Sequence, residues 1–79
     1  MGRRAYTPED RKILGTLAKR LRAAREASGL TQQQVADHLS ITRAGVAMLE
    51  AGNGSPAIPT LIAWAFWTGT TAANLIGDL

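Results

Sequence analysis

Side chains able to do covalent or acid–base chemistry are few and scattered in this chain. One histidine (His38), no cysteine and six dispersed acids supply no carboxylate pair, no thiolate nucleophile and no metal-ligand cluster. No enzymatic site, metal or cofactor is therefore expected. What the chain does have is positive charge, unevenly placed. All nine basic residues stand at or before Arg43, against four acids there (Glu9, Asp10, Glu26, Asp37), a surplus of five. The remainder carries only Glu50 and Asp78. Such a half-chain suits a polyanion; a first helix merely solvated on its outer faces would show the same count. The second half is neutral and apolar, which suits packing or assembly.

The elements that must position these charges are legible as helices. Seventy-nine residues, 46 % of them apolar, make one small folded domain. Thr7-Pro8-Glu9-Asp10 is a helix start, with a capping threonine, proline at the first helical position and acids in the first turn. Ile13, Leu14, Leu17, Leu21 and Ala24 then recur at helical spacing, and Ser28-Gly29 ends the run, so the first helix spans Pro8 to Ala27. Residues 1–7 read as a flexible basic arm and residues 8–79 as the domain. Thr31 with Gln34 forms a capping box, flanked by Leu30 and Val35 as a staple, and predicts a second helix from Gln32 to Leu39.

A short break at Ser40-Ile41 leads to Thr42, which can cap a third helix from Arg43 to about Ala51. Gly52-Asn53-Gly54-Ser55-Pro56 is a loop. Pro59 suits the first turn of a fourth helix that runs to about Thr68, where Gly69 ends it. Thr71 can cap a last short helix ending near Ile76. No stretch alternates at a period of two, so no sheet is expected. No apolar run reaches the ~18 residues of a membrane span, and no signal-peptide pattern opens the chain. A soluble, cytoplasmic protein without membrane contact is the expectation.

The second and third helices carry a joint signal. Val35 and Leu39 project from one, Val46 and Leu49 from the other, Ile41 plugs the turn, and Ala36 is small enough for close contact. Two short helices on a tight turn need that pattern. At this point the chain resembles the phage-repressor (Xre/Cro-type) helix-turn-helix family. Leu30-Thr31-Gln32-Gln33-Gln34-Val35-Ala36-Asp37-His38-Leu39 is similar to the family's opening, and Leu49-Glu50-Ala51-Gly52 followed by Pro56 to its close. The likeness covers about residues 17–75. It implies an all-α, five-helix, lambda-repressor-like domain that binds operator DNA as a dimer, with the third helix in the major groove. Two positions depart from the family: Ser40 replaces the usual turn glycine, and Ala51 replaces an asparagine that often contacts phosphate.

Carried over by position, the resemblance puts Arg43, Ala44, Ala47 and Met48 at the base-reading sites. Arg43 alone can make a bidentate contact, to guanine O6 and N7, whereas the others offer apolar contact to thymine methyls. A phosphate contact or a solvated helix start is the competing reading of Arg43. Gln32, at the start of the second helix, takes the family's phosphate-gripping position. Gln33, Thr42 and Asn53 are further backbone contacts, and Arg3 and Arg4 form a possible DNA arm or a disordered tail. Arg25 falls on the apolar stripe of the first helix, where an unpaired charge is costly. The family pairs an arginine and a glutamate at these positions, which implies a structural Arg25–Glu50 ion pair.

From Ile58 to Trp67 almost every residue is apolar, too many for one small core. A homodimer interface through Phe66, Trp67, Leu75 and Ile76 is expected; the competing reading is that the last helix folds back and covers them. The expected function is a sequence-specific transcriptional regulator of phage or bacterial type. The alternative is an antitoxin-like interaction module that uses the apolar fourth and fifth helices to hold another protein.

Overall fold

A computed structural model describes residues 5–79. Five helices follow in order: α1 (Pro8–Ala27), α2 (Gln32–Leu39), α3 (Arg43–Glu50), α4 (Ile58–Thr68) and α5 (Ala72–Ile76). No strand occurs among the described residues. Four of the five helix starts are set by threonines whose hydroxyls accept from free backbone N–H groups, whereas α4 starts after Ala57 with proline in its first turn and no side-chain cap. Thr7 accepts from the Asp10 amide at 3.1 Å, while the Asp10 carboxylate accepts from the Thr7 amide at 3.0 Å. Thr31 and Gln34 form the same reciprocal box at 3.1 and 2.8 Å. Thr42 and Thr71 cap α3 and α5 through the amides of Gly45 and Asn74.

The helix ends share one device. After α1, α2, α3 and α4 a residue enters the left-handed region, and the next amide donates back to the carbonyl five positions earlier. The pairs are Leu30 to Arg25, Ile41 to Ala36, Asn53 to Met48 and Thr70 to Ala65, at 3.0–3.3 Å. Three of the left-handed residues are Gly29, Gly52 and Gly69; the fourth is Ser40, at φ 56° and ψ 40°. A side chain in that region costs about 1 kcal/mol or more. Ser40 therefore keeps the turn geometry at a cost that glycine would avoid.

The core gathers side chains from all five helices. Leu17 and Leu21 of α1 meet Val35 and Ala36 of α2, Val46 of α3, Leu61, Trp64 and Ala65 of α4, and Leu75 of α5. Leu30, Leu39, Ile41 and Leu49 pack around its edge. Trp64 is fully buried, and its indole N–H donates to the Leu21 carbonyl at 3.1 Å, which satisfies the one polar atom it takes inside. One position of the expected apolar stripe on α1 is corrected. Ile13 is 42 % exposed, because the buried arc runs from Leu17 to Ala18 and Ile13 falls about 40° off its edge.

Candidate nucleic-acid interface

The exposed face of α3 depends first on how that helix is held. Arg25 reaches from α1 to Glu50 at the end of α3, donating from Nε to Oε2 at 2.6 Å and from Nη2 to Oε1 at 3.0 Å. Its Nη1 donates to the Leu30 carbonyl at 2.9 Å, and Gln32 Nε2 donates to Glu50 Oε1 at 3.2 Å. The two charged side chains are only 12 % and 3 % exposed. Hydrogen bonding to Glu50 raises the Arg25 guanidinium above its ordinary value, against the opposing effect of burial. The stability linked to that rise is present below the ordinary arginine range and is lost only in strong alkali. One carboxylate thus ties together α1, the start of α2 and the end of α3.

Held this way, α3 turns Val46 into the core and leaves Arg43, Ala44 and Met48 exposed, with Gly45 and Ala47 half-buried. Arg43 has no intramolecular partner among the described residues. Thr42 is exposed, and its hydroxyl oxygen, already accepting from Gly45, keeps its own proton to donate. Gln33 is exposed and bonds to Asp37 at 2.9 Å. Asn53 is exposed on the loop after α3. That loop lies against α1, where a side chain on Gly52 would sit 3.5 Å from the Gly15 Cα. Arg3 and Arg4 lie outside the described residues.

The basic half is less uniform than its charge count implies. Arg25 is internal, and so is much of Arg20, a residue that sequence reasoning missed. Arg20 donates to the carbonyls of Leu75 and Gly77 at 3.3 and 2.7 Å and pairs with Asp78 at 2.8 Å, capping the end of α5. Nothing local marks that role, since the partners are more than fifty residues away. Arg22 pairs with Glu26 one turn on. Arg11, Lys12, Lys19 and Arg43 are left without a side-chain partner among the described residues.

The apolar second half is corrected at one position. Leu75 is 2 % exposed and belongs to the core, so it cannot line an interface. The turn through Thr70 directs α5 back onto α1, and Leu75 enters between α1 and α4. That same packing leaves α4's outer side open, with Ile58, Ile62 and Phe66 at 63, 58 and 74 % exposure along one line. Trp67 and Ile76 are also exposed. His38 of α2 stacks on Trp67 with ring centres 4.0 Å apart and planes 8° from parallel, and Phe66 meets the same indole edge-on at 5.3 Å. His38 is thus an exposed aromatic contact on the surface. Among the described residues no group of metal-ligating side chains forms, and no helix is long and apolar enough to cross a membrane.

Comparison with known proteins agrees with this geometry. Among solved structures, the restriction-modification controller protein C.AhdI from Aeromonas hydrophila is 26 % identical, covering 78 % of this chain and 94 % of that one, with a TM-score of 0.73. The clp gene regulator ClgR from C. glutamicum is 20 % identical over 81 % of this chain and 82 % of that one, with a TM-score of 0.76. A hypothetical transcription factor, NHTF from Neisseria, is 23 % identical over 95 % and 86 %, with a TM-score of 0.75. At the identities of the last two, the likeness speaks for the fold alone. No curated protein matches the chain. The profile of the family described as Helix-turn-helix (HTH_3) matches residues 21–65, more than half of the chain and all of α2 and α3. The chain therefore belongs to that helix-turn-helix family and is a DNA-binding transcription regulator, not an enzyme.

Proposed function

We propose that this chain is a repressor of phage or bacterial type that binds a near-palindromic operator as a homodimer. In this reading, α3 of each protomer enters the major groove. Arg43 hydrogen-bonds a guanine there, and Ala44, Ala47 and Met48 meet thymine methyls. Gln32, Gln33, Thr42 and Asn53 grip phosphates on either side of the groove. The observation that carries the reading is the state of α3. Its inward face is locked by Val46 and by the Arg25–Glu50 pair, while Arg43 is exposed with no partner among the described residues. With a single hydrogen-bonding group on the reading face, the rest of specificity falls to methyl contacts, DNA shape and the spacing of two protomers.

Selection from random duplex DNA tests this directly. A two-fold site with half-sites about one helical turn apart is expected. Arg43→Ala should weaken the selected site roughly 10-fold or more and relax preference at one guanine, with little effect on random DNA. An unenriched pool, together with a protein that co-purifies with the chain, would instead support the antitoxin-like reading. The exposed Ile58–Ile62–Phe66 line is the observation that keeps that second reading alive.

A further inference from the structure

Three helices meet around an open depression lined by Arg22 and Arg25 of α1, Gln32 of α2, and Ala47, Glu50 and Ala51 at the end of α3. Ala47 belongs to the outward side of α3, so the depression borders the reading face. Its charges do not cancel. Arg25 and Glu50 neutralise each other through two hydrogen bonds, which leaves Arg22, whose partner Glu26 is not part of the lining, as its excess charge. The single tie on Arg22 is Nε to Glu26 Oε2 at 3.2 Å, an exposed i,i+4 pair of the weak kind. Both of its terminal nitrogens are without a partner among the described residues, and these form the fork that fits two phosphate oxygens. The small side chains of Ala47 and Ala51 leave the mouth unobstructed. Gln32, the first residue of α2, also lines it, at that helix's positive end.

We infer that Arg22 is a DNA-backbone contact, taking a phosphodiester in the depression that Gln32 also lines, and that Glu26 restrains it when no DNA is bound. This assignment rests on the DNA-binding reading of α3. Glu26 holds the guanidinium near the helix surface by one hydrogen bond. A phosphate offers two, with the positive end of α2 behind it, so DNA displaces the carboxylate. The contact reports charge and position but no base identity. It places α1 on the DNA through a residue outside the helix-turn-helix proper.

The test uses the whole chain and two duplexes, one selected and one of random sequence, titrated across a salt series. Arg22→Ala should weaken both equally and flatten the dependence of log affinity on log salt by about 0.9 for each protomer bound. Arg22→Lys should keep the slope while losing part of the affinity. Glu26→Gln should strengthen binding to both duplexes several-fold. Thermal melting of each variant should stay within a few degrees of the parent. Arg22→Ala with the parent's slope overturns the assignment, as does a loss of folding stability with the slope unchanged. A parent that binds neither duplex in a salt-dependent way overturns the assignment together with the DNA-binding reading itself. A parent that binds as expected, with Arg22 indifferent, overturns the Arg22 contact alone.

Discussion

Two regions of this molecule treat unfavourable exposure in opposite ways. At the junction of α1, α2 and α3, charged groups have been taken out of water, and each is answered. Glu50 is 3 % exposed and accepts from Arg25 twice and from Gln32 once. Along α4 the reverse holds, and large apolar groups stay in water with no cover. Ile58, Ile62 and Phe66 are each more than half exposed, on a helix whose other side is packed tightly around Trp64. The first region is complete within one chain. The second is not, because burying those side chains would return free energy that a lone chain leaves unused. The contrast separates side chains this domain needs in order to fold from side chains its fold leaves exposed.

The sharpest way to break the comparison is to unpair the junction. Glu50→Ala leaves Arg25 buried without its partner, a change that costs about 3–5 kcal/mol. For a domain of this size that is a large share of total stability, so the variant should be partly or wholly unfolded by circular dichroism and urea titration. Asp78→Ala, which removes the exposed partner of Arg20, should cost less than about 1 kcal/mol. Equal melting of the two variants would mean that burial does not distinguish the pairs.

The second region should respond in assembly and not in folding. Phe66→Glu alters a side chain that is 74 % exposed, so melting of a dilute sample should hardly move. Light scattering should nevertheless report loss of the dimer, and affinity for a two-fold site should fall about a hundredfold as the two protomers cease to act together. A parent that is monomeric both free and on DNA would assign the α4 line to some other partner. The smallest effect is expected between the two regions, at the turn. Ser40→Gly removes left-handed strain and should stabilise by about 0.5–1 kcal/mol, raising the melting temperature by a few degrees. A decrease would show that the serine side chain compensates for its backbone.

How much of this was legible beforehand follows the range of the forces involved. All five helices could be read from the chain, because caps, glycine stops and a period of 3.6 act over three to five residues. Thr31 and Gln34 announce α2 from within its own first turn. The boundaries that differ do so by one residue, at Glu50 and Ile58, where helix ends are least defined. The Arg25–Glu50 pair was legible only through resemblance to a family, since the two residues lie on different helices. The set of outward residues on α3 followed from knowing that Val46 and Leu49 face inward.

What the chain alone left open was decided by long-range packing. Leu75 and Ile76 are neighbours of similar character, yet one is in the core and the other in solvent, because the path of α5 across α1 allows only one of them inside. Arg20 and Arg22 sit two positions apart in the same basic run, and no local pattern separates them. Arg20 lies against the end of α5 and is taken up by carbonyls more than fifty residues away, whereas Arg22 lines a depression at the end of α3 with two nitrogens unpartnered among the described residues. Local hydrogen-bonding and periodicity therefore determined which segments of this protein are helices. Only the crossing of α1 with the ends of α3 and α5 decided which of its charges hold the fold together and which stay exposed on its surface.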